Sequence, residues 1–127
     1  MILMAVYIIF SGPIFMGNLP FLLVQLFGLL IIIWAVLARR MHKPGKHTPF
    51  TTYGPYEIIR HPIYAGFLLV MCAFVQGYAS ISRFFAFFIL LICVLLKIIY
   101  DERKLEKESV DYKHYQKKTH RIIPYLW

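Results

Sequence analysis

The first 38 residues contain no Asp, Glu, Lys or Arg. A soluble domain cannot hide an uncharged stretch of that length in a chain of only 127 residues, so the N-terminal third has to meet lipid. Composition agrees: 60% of the chain is apolar and only 16% charged, against roughly 45–50% and about 25% for an ordinary soluble domain. The net charge is nevertheless +8, and the charges are unevenly placed. Glu57 is the only acid before Asp101. A soluble nucleic-acid binder, the usual reading of a basic chain, does not fit this distribution, and no nucleic-acid partner is expected.

A helical membrane crossing takes about 20 apolar residues. Four stretches approach that length: Met1 to Phe15, Phe21 to Ala38, Ile63 to Ala79, and Phe84 to Tyr100. The expected fold is an all-α integral membrane protein of about four transmembrane helices, one domain over residues 1–127. Gly12-Pro13 and Gly17-Asn18-Leu19-Pro20 punctuate the first pair, predicting a helical hairpin over 1–38. A loop over 39–62, a second hairpin over 63–100 and a C-terminal helix and tail over 101–127 complete the expectation. Met1–Phe15 lacks the basic start and small-residue cleavage site of a signal peptide.

Twelve of the 14 basic residues fall in the loop 39–62 and in the tail after residue 100. Four spans put both segments on one side, which the Lys/Arg bias makes cytoplasmic. Arg83 is the only basic residue on the far side, and Lys97 can snorkel from the last span. Most of these charges suit a membrane surface rich in anionic lipid headgroups. The compact length leans towards a prokaryotic inner membrane. Cys72 and Cys93 lie within spans and read as small apolar side chains. The histidines 42, 47, 61, 114 and 120 show no metal-binding spacing, and no metal is expected.

The chemistry-bearing residues gather in the two polar segments. Gly54-Pro55 marks a turn, and Pro62 suits the first turn of a helix, which leaves His61 at its cap. Arg60 and His61 then stand beside free N–H groups, where an anion is favoured. Tyr64 falls in the first turn, and Gly66 leaves room for something to come close. Each residue alone also suits an interfacial anchor. In the tail, Ile98, Glu102, Leu105, Ser109 and Tyr112 share one helical face. Glu102 breaks that stripe where the last span leaves the bilayer and needs Arg60, His61, Arg121 or a bound cation as partner. Asp101 points elsewhere, towards solvent. Glu106, Glu108 and Asp111 alternate with lysines, as on a wet helix face.

The run Gly54-Pro55-Tyr56…Arg60-His61-Pro62-x-Tyr64-x-Gly66 resembles the G-P-Y…R-H-P-x-Y-x-G signature of the isoprenylcysteine carboxyl methyltransferase family. Asp101-Glu102-x-x-Leu105…Tyr112-x-x-Tyr115…Arg121-x-x-Pro124 is similar to that family's E-E-x-x-L…Y-x-x-Y…R-x-x-P ending. Phospholipid N-methyltransferases share a related pattern. The likeness covers residues 50–125, with Asp101 standing where the family carries glutamate.

The resemblance implies a membrane enzyme that takes S-adenosylmethionine from the cytosol and methylates a lipid-tailed or membrane-embedded acceptor. It further implies a cofactor site of His61, Pro62, Tyr64, Gly66, Glu102, Tyr112 and Tyr115, with Arg60, His61, Glu102 and Arg121 serving the reaction. Carboxyl O-methylation leads, followed by phospholipid or small-amine N-methylation. The competing expectations are an NADPH-dependent membrane reductase of the sterol-reductase type, a small multidrug transporter and a non-catalytic lipid-binding protein. A transporter of cations would want an acid inside a span, and none of the four stretches holds one. The stretches also lack an evident glycine-spaced dimerisation pair.

Overall fold

In the computed structural model the described residues are 1–11, 19–41, 50–77 and 79–122. The glycine-proline turns before Leu19, His42, Lys43, Lys46, His47 and Pro124 lie outside them. Among the described residues five α-helices follow in order: α1 Ile2–Phe10, α2 Leu19–Met41, α3 Pro62–Gly77, α4 Ile81–Glu108 and α5 Asp111–Lys118. A short 3-10 turn, Gly54–Glu57, precedes α3, and an isolated parallel bridge joins Ile59 to His120.

Among the described residues two helices, α2 and α4, are long and apolar enough, by length and composition, to cross a membrane. Their outward faces are apolar and exposed, with Leu30, Ile33 and Trp34 on α2 and Phe85, Phe88 and Leu96 on α4. Monomeric soluble proteins rarely expose apolar faces of this extent. The third apolar helix, α3, has 16 residues, about 24 Å at the helical rise. The described part of the first, α1, has nine. Lengths differ from the sequence reading mainly at the polar ends. Apolarity ends at Tyr100, but Glu102–Glu108 are good helix formers and α4 runs on for another two turns.

The inward row of α4 explains the packing. Ala86, Leu90, Val94 and Ile98 recur every four residues and are buried. They meet Ala5 and Ile8 of α1 and Val70, Met71 and Val75 of α3. The main partner of α2 is α3, and α1 packs against α4 and α3. The two N-terminal helices thus find their partners later in the chain. At the α2–α3 crossing, a Cβ on Gly66 would sit 2.7 Å from the Gly28 carbonyl oxygen, and one on Gly28 would sit 2.9 Å from that of Gly66. The space left by Gly66 is therefore occupied by the backbone of α2.

At the far end of the bundle Arg83 is 2% exposed. Its Nε donates to Ser11 Oγ at 2.7 Å and an NH1 hydrogen goes to the Phe74 carbonyl at 3.2 Å. This arginine is thus an internal tie between α4, the end of α1 and α3.

Candidate functional site

The helix α3 begins where the sequence places it. Proline at the first position and an extended residue before it make His61 the boundary, and the His61 carbonyl accepts the first helical bond from Ala65 N–H at 3.0 Å. The preceding strand-like residues are held by the tail. Arg60 N–H donates to the His120 carbonyl at 2.7 Å, His61 N–H to that of Arg121 at 3.1 Å, and His120 N–H to that of Ile58 at 3.0 Å.

Glu102 is the fifth member of the buried row on α4, an acid in a place the periodicity reserves for an apolar side chain. It is 2% exposed. Arg60 Nε lies 2.7 Å from Oε1 and Arg121 Nε 3.0 Å from Oε2. His61 Nε2 stands 3.5 Å from Oε1, close but without a hydrogen bond. All three basic groups that the sequence offers as partners surround the carboxylate. Burial alone would raise its pKa. His61, Arg60 and Arg121 outweigh that and hold it at about 2, so Glu102 is ionised throughout the neutral range.

Arg60 has a second duty. Its NH1 donates to the carbonyls of Gln116 at 3.0 Å and Thr119 at 2.6 Å, satisfying acceptors left over at the end of α5. Tyr115 adds a hydrogen bond from its hydroxyl to the Tyr56 carbonyl, and Gln116 Nε2 donates to Glu106 Oε1 at 2.7 Å. The loop before α3, the end of α4, and α5 with its tail are knotted together through one arginine–glutamate pair.

That knot forms one wall of a cavity of about 500 Å³, within the size range of small-molecule sites. Arg60, His61, Pro62, Tyr64, Tyr112 and Tyr115 all line it. Glu102 lies behind the wall rather than along it, engaged by basic side chains. Arg121 and Gly66 are likewise not among the lining residues. In this geometry Arg60 and Arg121 engage Glu102, and Gly66 packs against the backbone of α2.

Several lining residues escaped the sequence reading. Asp101 accepts from Lys97 Nζ at 2.6 Å and from the Tyr64 hydroxyl at 3.3 Å, so it bridges α3 and α4 at the cavity edge instead of standing free in solvent. Phe50 stacks on Tyr115 with ring centroids 5.1 Å apart and meets Tyr112 edge-on at the same separation. Arg39, at the end of α2, and Tyr56 also face the cavity. The G-P-Y run was a signal for Tyr56; Phe50 and Arg39 had none. Burial raises the phenol pKa values of Tyr112 and Tyr115 well above the ordinary range, so both remain neutral hydrogen-bonding groups.

No family model, no curated protein and no solved structure matches the chain. Among the described residues no cluster of His, Cys, Asp and Glu is arranged to hold a metal ion.

Proposed function

We propose that this chain is a multi-pass membrane methyltransferase that uses S-adenosylmethionine and acts on a lipid-tailed or membrane-embedded acceptor, most simply by carboxyl O-methylation. The observation that carries the reading is one cavity in which His61 and Tyr64, Tyr112 and Tyr115, and Asp101 converge from distant parts of the sequence. Four spans, with loop 39–62 and the C-terminus in the cytoplasm of a prokaryotic cell, belong to the same proposal; the concentration of Lys and Arg in those segments supports it.

The lining fits such a cofactor in chemical kind. The ring faces of Tyr64, Phe50, Tyr112 and Tyr115 suit a sulfonium cation and a flat purine. The Asp101 carboxylate, at the cavity edge, suits an ammonium group or ribose hydroxyls. When bound, S-adenosylmethionine supplies an electrophilic methyl group on a cationic sulfur.

The chain's own part is alignment and removal of water. The Arg60–Glu102 pair holds the loop and tail that wall the site. Tyr64 is oriented by Asp101. A carboxylate acceptor is already ionised and needs no base. An amine acceptor has to lose a proton, and His61 is the lining group suited to take it.

The test is binding of labelled S-adenosylmethionine by the purified full chain in detergent. Saturable binding, weakened about tenfold or more by Tyr64→Ala and Asp101→Asn, is expected. Absence of saturable binding to the unaltered protein would refute the proposal. Incubating a membrane lipid extract with methyl-labelled cofactor then identifies the acceptor class.

A further inference from the structure

The charges around the cavity do not cancel. Asp101 is matched by Lys97 at 2.6 Å, Glu108 by Lys104 at 3.9 Å, and Arg60 by Glu102 at 2.7 Å. Arg39 remains: among the described residues it lines the cavity without a carboxylate within 4.0 Å. Its place on the helix is set by packing, although its own side chain is exposed. Ala35, one turn earlier on the same face of α2, and Ala38 are buried against Tyr56 and Ile63, so Arg39 leaves the helix at the end of the α2–α3 seam. A cation at the rim of a cleft attracts an anion more strongly than one on an open surface.

We propose that Arg39 binds the anionic head, a phosphate or a carboxylate, of an amphiphile whose apolar tail lies along the helices. The apolar surface reaches this end of the molecule: Leu37 on α2 and Leu96 and Tyr100 on α4 are at least half exposed. Guanidinium is suited to both head groups because its planar fork matches two oxygens at once. Arg39 thereby selects ligands by charge, whereas the charge of Arg60 is matched by Glu102 and its Nε and NH1 are committed to Glu102 and to the Gln116 and Thr119 carbonyls. That the amphiphile is the methyl acceptor rests on the methyltransferase reading; that it binds does not.

The experiment uses the purified full chain in a neutral detergent, with dodecyl phosphate as probe and binding measured by titration calorimetry. Arg39→Gln is expected to weaken binding about tenfold or more, the loss of a charge-assisted hydrogen bond. Arg40→Gln removes the same charge from the next residue, which does not line the cavity, and should stay within about twofold of the unaltered protein, as for a screened surface charge. Inorganic phosphate at the same concentration should not compete. Equal losses in the two variants, or full competition by inorganic phosphate, would overturn the proposal. So would an Arg39→Gln protein that binds dodecyl phosphate normally but S-adenosylmethionine poorly, which would assign the arginine to the cofactor. An unaltered protein that binds dodecyl phosphate and not S-adenosylmethionine would remove the methyltransferase reading and leave this one standing.

Discussion

Replacing Glu102 by glutamine keeps the shape of the side chain and removes its charge, and the structure says where the damage falls. Arg60, 8% exposed at its side chain, would lose the carboxylate at 2.7 Å while keeping its bonds to the Gln116 and Thr119 carbonyls. Arg121 is 31% exposed at its side chain and can turn to water. Breaking a buried pair by removing one partner costs about 3–5 kcal/mol. A fall in carboxyl pKa from 4.5 to about 2 corresponds to about 3 kcal/mol, so the two routes agree in size. What Arg60 holds is the docking of the tail on the loop before α3, so the cost should appear there first. Hydrogen exchange at the amides of Arg60, His61 and His120, which make the bridge, should accelerate about a hundredfold, while α2 and the middle of α4 stay protected. Exchange unchanged at those three amides, or a uniform rise across all helices, would refute the assignment of Glu102 as a local clamp. The same logic sets the acid response. The folded-state pKa is depressed, so the contribution is complete above pH 4.5 and is lost as pH falls from there towards about 2.

Other variants probe the frame. Gly66→Ala pushes a methyl to 2.7 Å from the Gly28 carbonyl and should cost about 1–3 kcal/mol by overpacking, read as a lowered thermal midpoint in detergent. Tyr115→Phe keeps the stack on Phe50 but leaves the Tyr56 carbonyl without that donor; a loss of about 1 kcal/mol is expected, measurable in the same assay. Gly54 has φ +67°, so Gly54→Ala should cost about 1–2 kcal/mol, and a neutral result would count against the turn geometry. Arg83→Ala removes the ties to Ser11 and Phe74 and should increase protease access to α1 while the cavity end retains its exchange protection.

The candidate site was legible wherever local chemistry decides. Proline after His61 suits the first turn of a helix when an apolar run follows, and the four-residue row that ends on Glu102 is a property of helical geometry. The partners of Glu102 could be named because an interior acid requires basic neighbours and few were within reach. Charge composition, by contrast, marks where lipid ends and not where a helix ends, so α4 outran its apolar stretch. Asp101 looked solvent-bound because its own helix gives it only Lys97; Tyr64 comes from α3, and no spacing rule reports a contact across 37 residues. Phe50, Arg39 and the Gly28–Gly66 crossing depend likewise on how two helices meet. The stripe from Ile98 to Tyr112 has the spacing of one helix, yet Ser109 is extended and splits it into α4 and α5. That break lets α5 turn back onto the loop.

The Arg83–Ser11 bond spans 72 residues and bears on the order of synthesis. The N-terminal helix leaves the ribosome first, but its end is joined to an arginine that emerges only after α3 is made. Until then α1 lacks its main packing surface on α4. When α4 arrives, its guanidinium requires Ser11 and the Phe74 carbonyl to be in place. Assembly of this bundle is therefore a closing step, completed when the last long helix meets the first short one. Chains arrested before α4 is made should consequently leave exposed the face of α1 that α4 covers, a state that cysteine labelling can detect.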